Sequence, residues 1–332
     1  MTLTQRKDLL VRLGAYMQAN EESWQMAKRK AYLDNNWFIQ QFVDLSVKNI
    51  VEHFLQPAQL DTLIQRYGLP EQRLQPKNVG IVMAGNIPLV GFHDFLCVFL
   101  SGHVSRIKPS SKDEALITQL VKQLHEWEPA ATEFVAILPL LKGCDAYIAT
   151  GSNNSGRYFE HYFAKYPHII RRNRTSVAIL TGTESEKDLE HLADDIHLYF
   201  GLGCRNVTKL YVPEGYDFVP LLTALRKYSN LGDHHKFKNN YDYQLAGHII
   251  NNRYYMTNGS ILLVEDPSPF APISQVHYEF YKELDAVRDS LSHNEVIQCI
   301  TGKHHTPFGQ AQVPGICDFA DGVDTVAFLH SL

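Results

Sequence analysis

At 332 residues the chain exceeds what one hydrophobic core usually serves, which predicts about two domains. Apolar residues make up 45% and charged residues 20%, a balance that excludes a disordered chain. A formal net charge of −5 excludes a global basic field for nucleic acid or anionic membrane, so no nucleic-acid partner is expected.

The predicted elements begin with helices over 4–67, where Trp37, Phe38, Phe42, Leu45, Ile50 and Phe54 recur at roughly helical spacing. The two prolines of "LPEQRLQPKN" end that pattern, and strands then alternate with helices. "NVGIVMAG" predicts a strand and "PLVGFHDFLCVFLSG" a buried helix. "HVSRIKPS" is a strand, "SKDEALITQLVKQLHEW" an amphipathic helix, "DAYIATG" a strand and "NSGRYFEHYFAKY" a helix. "TSVAILTG" closes the series, and the alternation predicts a parallel sheet of βαβ units. A further helix spans 185–200, "TKLYVPEG" is a strand, "YDFVPLLTALRKYSN" a helix, and "TNG" marks a hairpin.

The stretch Gly80–Gly102 contains Asn86, His93 and Asp94 and is broken by Pro88, so it predicts strand, loop and helix and no membrane span. "MTLTQRKDLL" lacks an apolar h-region, so no signal peptide is expected. Five cysteines at irregular spacing describe no disulfide framework and suit a reducing compartment, hence a cytoplasmic enzyme. Sixteen histidines show no ligand spacing, and no metal is expected.

Four motifs carry chemistry, three of them with a plainer alternative. In "ATGSNNSG", Gly151 and Gly156 follow a strand and open a helix, where backbone N–H groups can receive a phosphate. It is neither a full Rossmann fingerprint nor a P-loop, and taken alone it reads first as an ordinary turn capped by Ser152 or Asn153. In "RIKPSSKDE", Ser111 and Glu114 form a potential capping box, and Lys108 ends a strand from which it could reach a cofactor crevice. "AGNIPLVG" puts Asn86 between a strand and a helix, as a turn residue or as an amide donor at a reaction centre. "FGLGCRN" sets Cys204 behind Gly201 and Gly203, unlike Cys97 and Cys299 in apolar runs or Cys144 and Cys317 before aspartates.

The order of these motifs resembles the aldehyde dehydrogenase superfamily: "GNIPL", "IKPS" 22 residues after Asn86, "TGSNNSG", then the cysteine behind "GLG". "PFAPI" at 269–273 and "TPFGQ" at 306–310 look like its late turns. "YFGLGCRNVTKLYVPEGYD" and "PGICDFADGVDTVAFL" are similar to the acyl-CoA reductases of the LuxC type, from about residue 35 to the end.

The resemblance implies an α/β fold with a Rossmann-like cofactor domain and an α/β catalytic domain behind a helical N-terminal segment. The expected division is 1–182, 183–305, and 306–332 returning to complete the fold, with the active site in the cleft between domains. It implies Cys204 as nucleophile and Asn86 with the Cys204 N–H as oxyanion hole. Lys108 with Ser110 and Ser111, and the turn of Gly151, Ser152 and Gly156, become the cofactor site. NADP(H) is expected, with NAD(H) as the alternative, because Ser111 stands where NAD-selective members often carry a glutamate. Gly201 and Gly203 would leave room for substrate and nicotinamide.

Two departures follow. No acidic residue lies between Glu160 and Glu184, so the water-activating glutamate of hydrolytic members has no counterpart. His168 is the one conventional base there and is read as exposed. Ser268 stands where a second glutamate is usual, with Glu265 and Asp266 as nearby substitutes. The implied reaction is NAD(P)H-dependent reduction of an acyl-CoA or acyl-protein thioester to an aldehyde, in a homo-oligomer, with an acyl-donor protein as partner. An acyl-phosphate reductase and a non-redox acyl-transfer protein remain open alternatives.

Overall fold

The computed structural model describes residues 1–292 and 294–332, with Asn153 described by its backbone alone. The chain divides into two compact units, residues 1–173 with 314–332, and residues 174–313.

The first unit opens with four helices, α1 (Leu3–Gln18), α2 (Glu22–Asp34), α3 (Gln40–His53) and α4 (Pro57–Tyr67). Three of the boundaries have a local cause. Thr2 and Gln5 form a reciprocal capping box on α1, and Pro57 occupies the first turn of α4. Gly68, in the left-handed region at φ 57°, ends α4. Trp37 and Phe38, expected within the helical run, precede α3 in a turn whose Phe38 N–H donates to Asn35 O.

Then come β1 (Asn78–Val82), α5 (Phe92–Leu100), β2 (Val104–Lys108), α6 (Ala115–Trp127), α7 (Ala131–Phe134), β3 (Val135–Ile137), β4 (Ala146–Thr150), α8 (Asn153–Phe163) and β5 (His168–Arg171). The five strands are parallel in the order β3-β2-β1-β4-β5. This doubly wound order reverses between β1 and β4, where such sheets open a crevice at the strands' C-terminal ends. Helix α5 is apolar nearly all round and packs on β1, β2, α1 and the C-terminal helix, which is why almost every residue of it is buried. Amphipathic α6 buries Leu116, Ile117, Leu120, Val121 and Leu124 along one face.

The second unit contains β6 (Thr175–Ile179), α9 (Glu186–His197), β7 (Val207–Pro213), α10 (Phe218–Ala224), α11 (His235–Ile250), β8 (Met256–Thr257), β9 (Leu262–Glu265), β10 (Gln275–Tyr281), α12 (Leu284–Ser292) and β11 (Ile297–Gly302). Its sheet runs β11-β6-β7-β10-β9-β8, parallel except for the β8–β9 hairpin. "TSVAILTG" therefore does not close the first series: β6 pairs with β7 and β11 in the second sheet. Strand periodicity names a strand but not its partners. Helix α11 has no counterpart in the sequence reading, because its polar and apolar residues are mixed around the axis.

The chain returns to the first unit at Pro314 and ends in α13 (Thr325–His330). Tyr67 Oη donates to Asp324 at 2.6 Å, and the His93 ring nitrogen meets Ile316 O at 2.9 Å. His103, neutral because burial lowers its pKa to about 4, accepts from the Lys77 N–H and donates to Leu329 O at 3.0 Å. Residues 306–313, expected to return with this segment, belong to the second unit.

Candidate active site

In the first unit, the expected cofactor residues and Asn86 gather at one edge of the sheet, beyond the C-terminal ends of β2, β1 and β4. Val82, at the end of β1, is flanked by Lys108 and Ala149. Asn86 is exposed on the loop after β1, and contacts at Pro88, Leu89 and Gly85 help hold that loop. Ser46 of α3 donates to Pro88 O at 2.6 Å, and the Leu89 N–H donates to the buried Asp113 carboxylate at 2.7 Å. Gly85 lies so close to Ser110 that a Cβ would meet its Oγ at 2.7 Å. The loop after β1 and the turn after β2 are thus one packed unit.

Lys108 and Ser111 are exposed and Ser110 half-buried. The capping box expected from Ser111 and Glu114 does not form: α6 starts at Ala115, and Glu114 makes no side-chain cap bond. Ser110 Oγ accepts from the Lys112 N–H and Ser110 O from the Asp113 N–H, giving a turn that aims Asp113 at Leu89 rather than at the helix start. After β4, exposed Ser152 caps α8 by accepting from the Ser155 N–H at 3.3 Å. Gly151 has a steric reason, since a Cβ would come within 2.8 Å of Ser155 Cβ and 2.9 Å of the Phe159 ring. Gly156 is buried, but a Cβ there would meet only ordinary contacts.

Cys204 lies in the second unit, in the turn between α9 and β7, and is half-buried. Three successive residues before it, Tyr199 (φ 55°), Phe200 (φ 57°) and Gly201 (φ 73°), occupy the left-handed region. Two bulky residues there cost roughly 1–2 kcal/mol each, a strain that surrounding packing must hold. Phe200 is buried against His234 and Phe237, with ring centroids 4.6 and 5.7 Å away. Gly201 is demanded by its φ.

The turn itself is closed by the Asn206 N–H donating to Gly203 O at 3.0 Å. Fully buried Asn206 accepts from the Gly203 N–H at 2.8 Å and donates to the carbonyls of Asp195 at 3.0 Å and Leu198 at 2.8 Å. Ser176 of β6 donates to Cys204 O at 3.0 Å. Cys317 is half-buried like Cys204, and the other three cysteines are buried. Burial pushes the Cys97 and Cys144 thiols up, which keeps them protonated, and Cys299 is buried with its thiol against Thr306.

The late motifs pack beside this turn. Asp195 of α9 accepts from the Gly309 and Ala311 N–H groups at 2.8 and 3.0 Å, and burial raises its pKa to about 7 against their opposing pull. Thr208 and Lys209, at the start of β7, donate to Pro269 O at 2.6 Å and Pro267 O at 2.7 Å. Ser268 Oγ accepts from the Phe270 N–H. Of the two carboxylates near it, Asp266 is bound to Arg253 at 2.7 Å, which holds it below the usual carboxylate range, and Glu265 is exposed.

The stretch expected to lack a base straddles both units. His168 is exposed and its ring meets Tyr166 O, Arg171 is buried against Asp94, and Arg172 pairs with Glu160. Asn206, Ser176 and Asp195 had no assigned role in the sequence reading. Asn206 lies inside "GLGCRN", but nothing local marks its side chain as turned inward. Among the described residues, no group of three or more His, Cys, Asp or Glu is placed to hold a metal ion, and no helix is long and apolar enough to cross a membrane.

A family model described as acyl-CoA reductase (LuxC) matches residues 13–220, more than half of the chain. No curated protein sequence matches it. Among solved structures, it is similar to a Mycobacterium tuberculosis aldehyde dehydrogenase complexed with NAD+, with TM-score 0.68 and 12% identity, covering 94% of this chain and 75% of that one. The aldehyde dehydrogenase KauB from Pseudomonas aeruginosa gives 0.68 and 13%, covering 91% and 72%. An E. coli NADP dependent enzyme gives 0.68 and 13%, covering 91% and 73%. At such identities the likeness establishes the aldehyde dehydrogenase fold.

Proposed function

The chain belongs to the LuxC acyl-CoA reductase family, an oxidoreductase family of aldehyde and acyl chemistry, and on that premise we propose that it reduces a fatty acyl thioester to the aldehyde. The acyl donor is acyl-CoA or an acylated protein, the reductant NADPH or NADH, and the compartment a reducing one, the cytoplasm. The observation that carries this reading is the seat of Cys204, half-buried in a strained, hydrogen-bonded turn while Cys97 and Cys144 are buried thiols held protonated.

The first unit's edge fits a nicotinamide dinucleotide by its donor set. An exposed lysine, the hydroxyls of Ser110, Ser111 and Ser152, and the first-turn N–H groups of α8 match ribose hydroxyls and phosphates. A bound reduced nicotinamide supplies the hydride. Lys108 and Ser111 would bind the adenosine ribose, and the turn of Gly151, Ser152 and Gly156 the pyrophosphate.

The Cys204 thiolate attacks the thioester carbonyl, with the Asn86 amide and the Cys204 N–H donating to the oxyanion. The new S–C bond forms as the C–S bond to coenzyme A breaks and its thiolate leaves. Reduction by two electrons gives a hemithioacetal on Cys204, whose collapse breaks the S–C bond and releases aldehyde and thiolate. No carboxylate lies between His161 and Thr183, which supports an acyl group leaving by reduction rather than by assisted hydrolysis.

The test is NADPH and NADH oxidation across an acyl-CoA chain-length series, with aldehyde identified as product. Oxidation matched by aldehyde supports the proposal. Acyl transfer without cofactor oxidation, or activity on acyl phosphate alone, overturns it.

A further inference from the structure

The hydrogen bonds around Cys204 fix three consecutive peptide planes. The plane joining Leu202 to Gly203 is held by its N–H, which donates to Asn206 Oδ1 at 2.8 Å. The plane joining Gly203 to Cys204 is held by its carbonyl, which accepts from the Asn206 N–H at 3.0 Å. The plane joining Cys204 to Arg205 is held by its carbonyl, which accepts from Ser176 Oγ at 3.0 Å. In a trans peptide the N–H points opposite to the carbonyl, so fixing Gly203 O also fixes the direction of the Cys204 N–H.

The anchor is stiff. Asn206 and Ser176 are both fully buried. The Asn206 amide donates to main-chain carbonyls of α9's last turn and of Leu198, groups a helix end leaves without intrahelical donors. One side chain therefore terminates α9 and closes the cysteine turn. Ser176 ties the same turn to β6, the strand beside β7.

The geometry points to Asn206 and Ser176 as positioning residues that aim the Cys204 thiol and N–H at an incoming carbonyl carbon and its oxygen. This rests on Cys204 being the nucleophile of the proposed reaction. Attack on a carbonyl needs both the sulfur and the N–H in register, whereas alkylation needs only a reachable thiol.

The test compares two electrophiles on full-length protein, with S-modification of Cys204 read by peptide mass spectrometry. p-Nitrophenyl acetate reports carbonyl attack, the sulfur taking the acetyl group as p-nitrophenolate leaves, and iodoacetamide reports accessibility. In Asn206→Ala and Ser176→Ala, acetylation of Cys204 should fall by about 10²-fold relative to alkylation. A merely structural role would move the two rates together, and partial unfolding would raise alkylation. An unchanged acetylation-to-alkylation ratio in Ser176→Ala overturns the inference, and that milder variant decides the matter where Asn206→Ala does not fold. Neither probe uses coenzyme A or nicotinamide, so failure of the proposed reductase activity would show separately as absent NAD(P)H oxidation.

Discussion

Arg171, the last residue of β5, donates through Nη1 to both carboxylate oxygens of Asp94 on α5, each at 2.7 Å. Its Nη2 donates to Thr325 on α13 at 2.8 Å, so one guanidinium joins the edge strand, the central helix and the C-terminal helix of the first unit. Both side chains of the pair are only 5% exposed. Removing one partner of such a pair leaves a buried charge uncompensated. Asp94→Ala should therefore destabilise the protein by about 3–5 kcal/mol, whereas the double variant Asp94→Leu with Arg171→Met should recover most of it. Urea denaturation of the three proteins is the check.

Asp195 makes stability depend on pH. Its folded pKa, about 7, lies above the usual 3.8, so folded protein holds a proton that unfolded chain releases. The contribution is complete below pH 3.8 and is lost as pH rises through 7, on the order of 4 kcal/mol across that window. Asp195→Asn has no such titration. The stability of wild type relative to the variant should thus fall between pH 5 and pH 8, and parallel denaturation midpoints at both pH values would show it.

Cys204→Ala should abolish turnover and acyl-enzyme formation while leaving cofactor binding intact. In wild type, acyl-CoA without reduced cofactor should leave a long-lived acyl adduct on Cys204, because residues 161–183 supply no carboxylate for the general-base help, worth roughly 10²–10⁴ in rate, that hydrolysis would use. Intact-mass spectrometry should find the adduct, and NADPH or free coenzyme A should discharge it. Cys97→Ala should instead cost roughly 1 kcal/mol or more of stability, the residue being 1% exposed. Rapid fatty-acid release without cofactor would point to a thioesterase.

Asn86→Ala should lower the rate by about 10²-fold with little change in cofactor affinity, as loss of one oxyanion donor does. Pro88, Leu89 and Gly85 also anchor the loop, so its main chain has supports besides Asn86. An unchanged rate would confine Asn86 to the turn.

Ser111→Glu should shift preference toward NADH. Ser111 is exposed at the end of the turn that carries Lys108 and Lys112, and a carboxylate there would repel a 2′-phosphate. The ratio of NADPH to NADH rates is the readout, and equal ratios in both proteins would refute this placement of the ribose.

Residues in chain order determined the strand–helix alternation, the helical character of 4–67 and the run of motifs that marks the family, because periodicity and turn chemistry are local. The sequence also set Cys204 apart, since two glycines just ahead of a cysteine, Gly201 and Gly203, signal special backbone. Tertiary structure alone decided which sheet each strand joins: β6 reads like the strands before it and pairs with β7 and β11. The missing capping box has a similar cause. Asp113 is recruited by Leu89, 24 residues away in the chain, and no local pattern carries that preference. Asn206 is the clearest case. Beside Cys204 it reads as one more polar turn residue, and only the approach of α9's last carbonyls gives its amide partners worth burying. Burial and hydrogen bonding between distant segments are properties of the folded chain, and they make an ordinary asparagine the anchor of the cysteine turn.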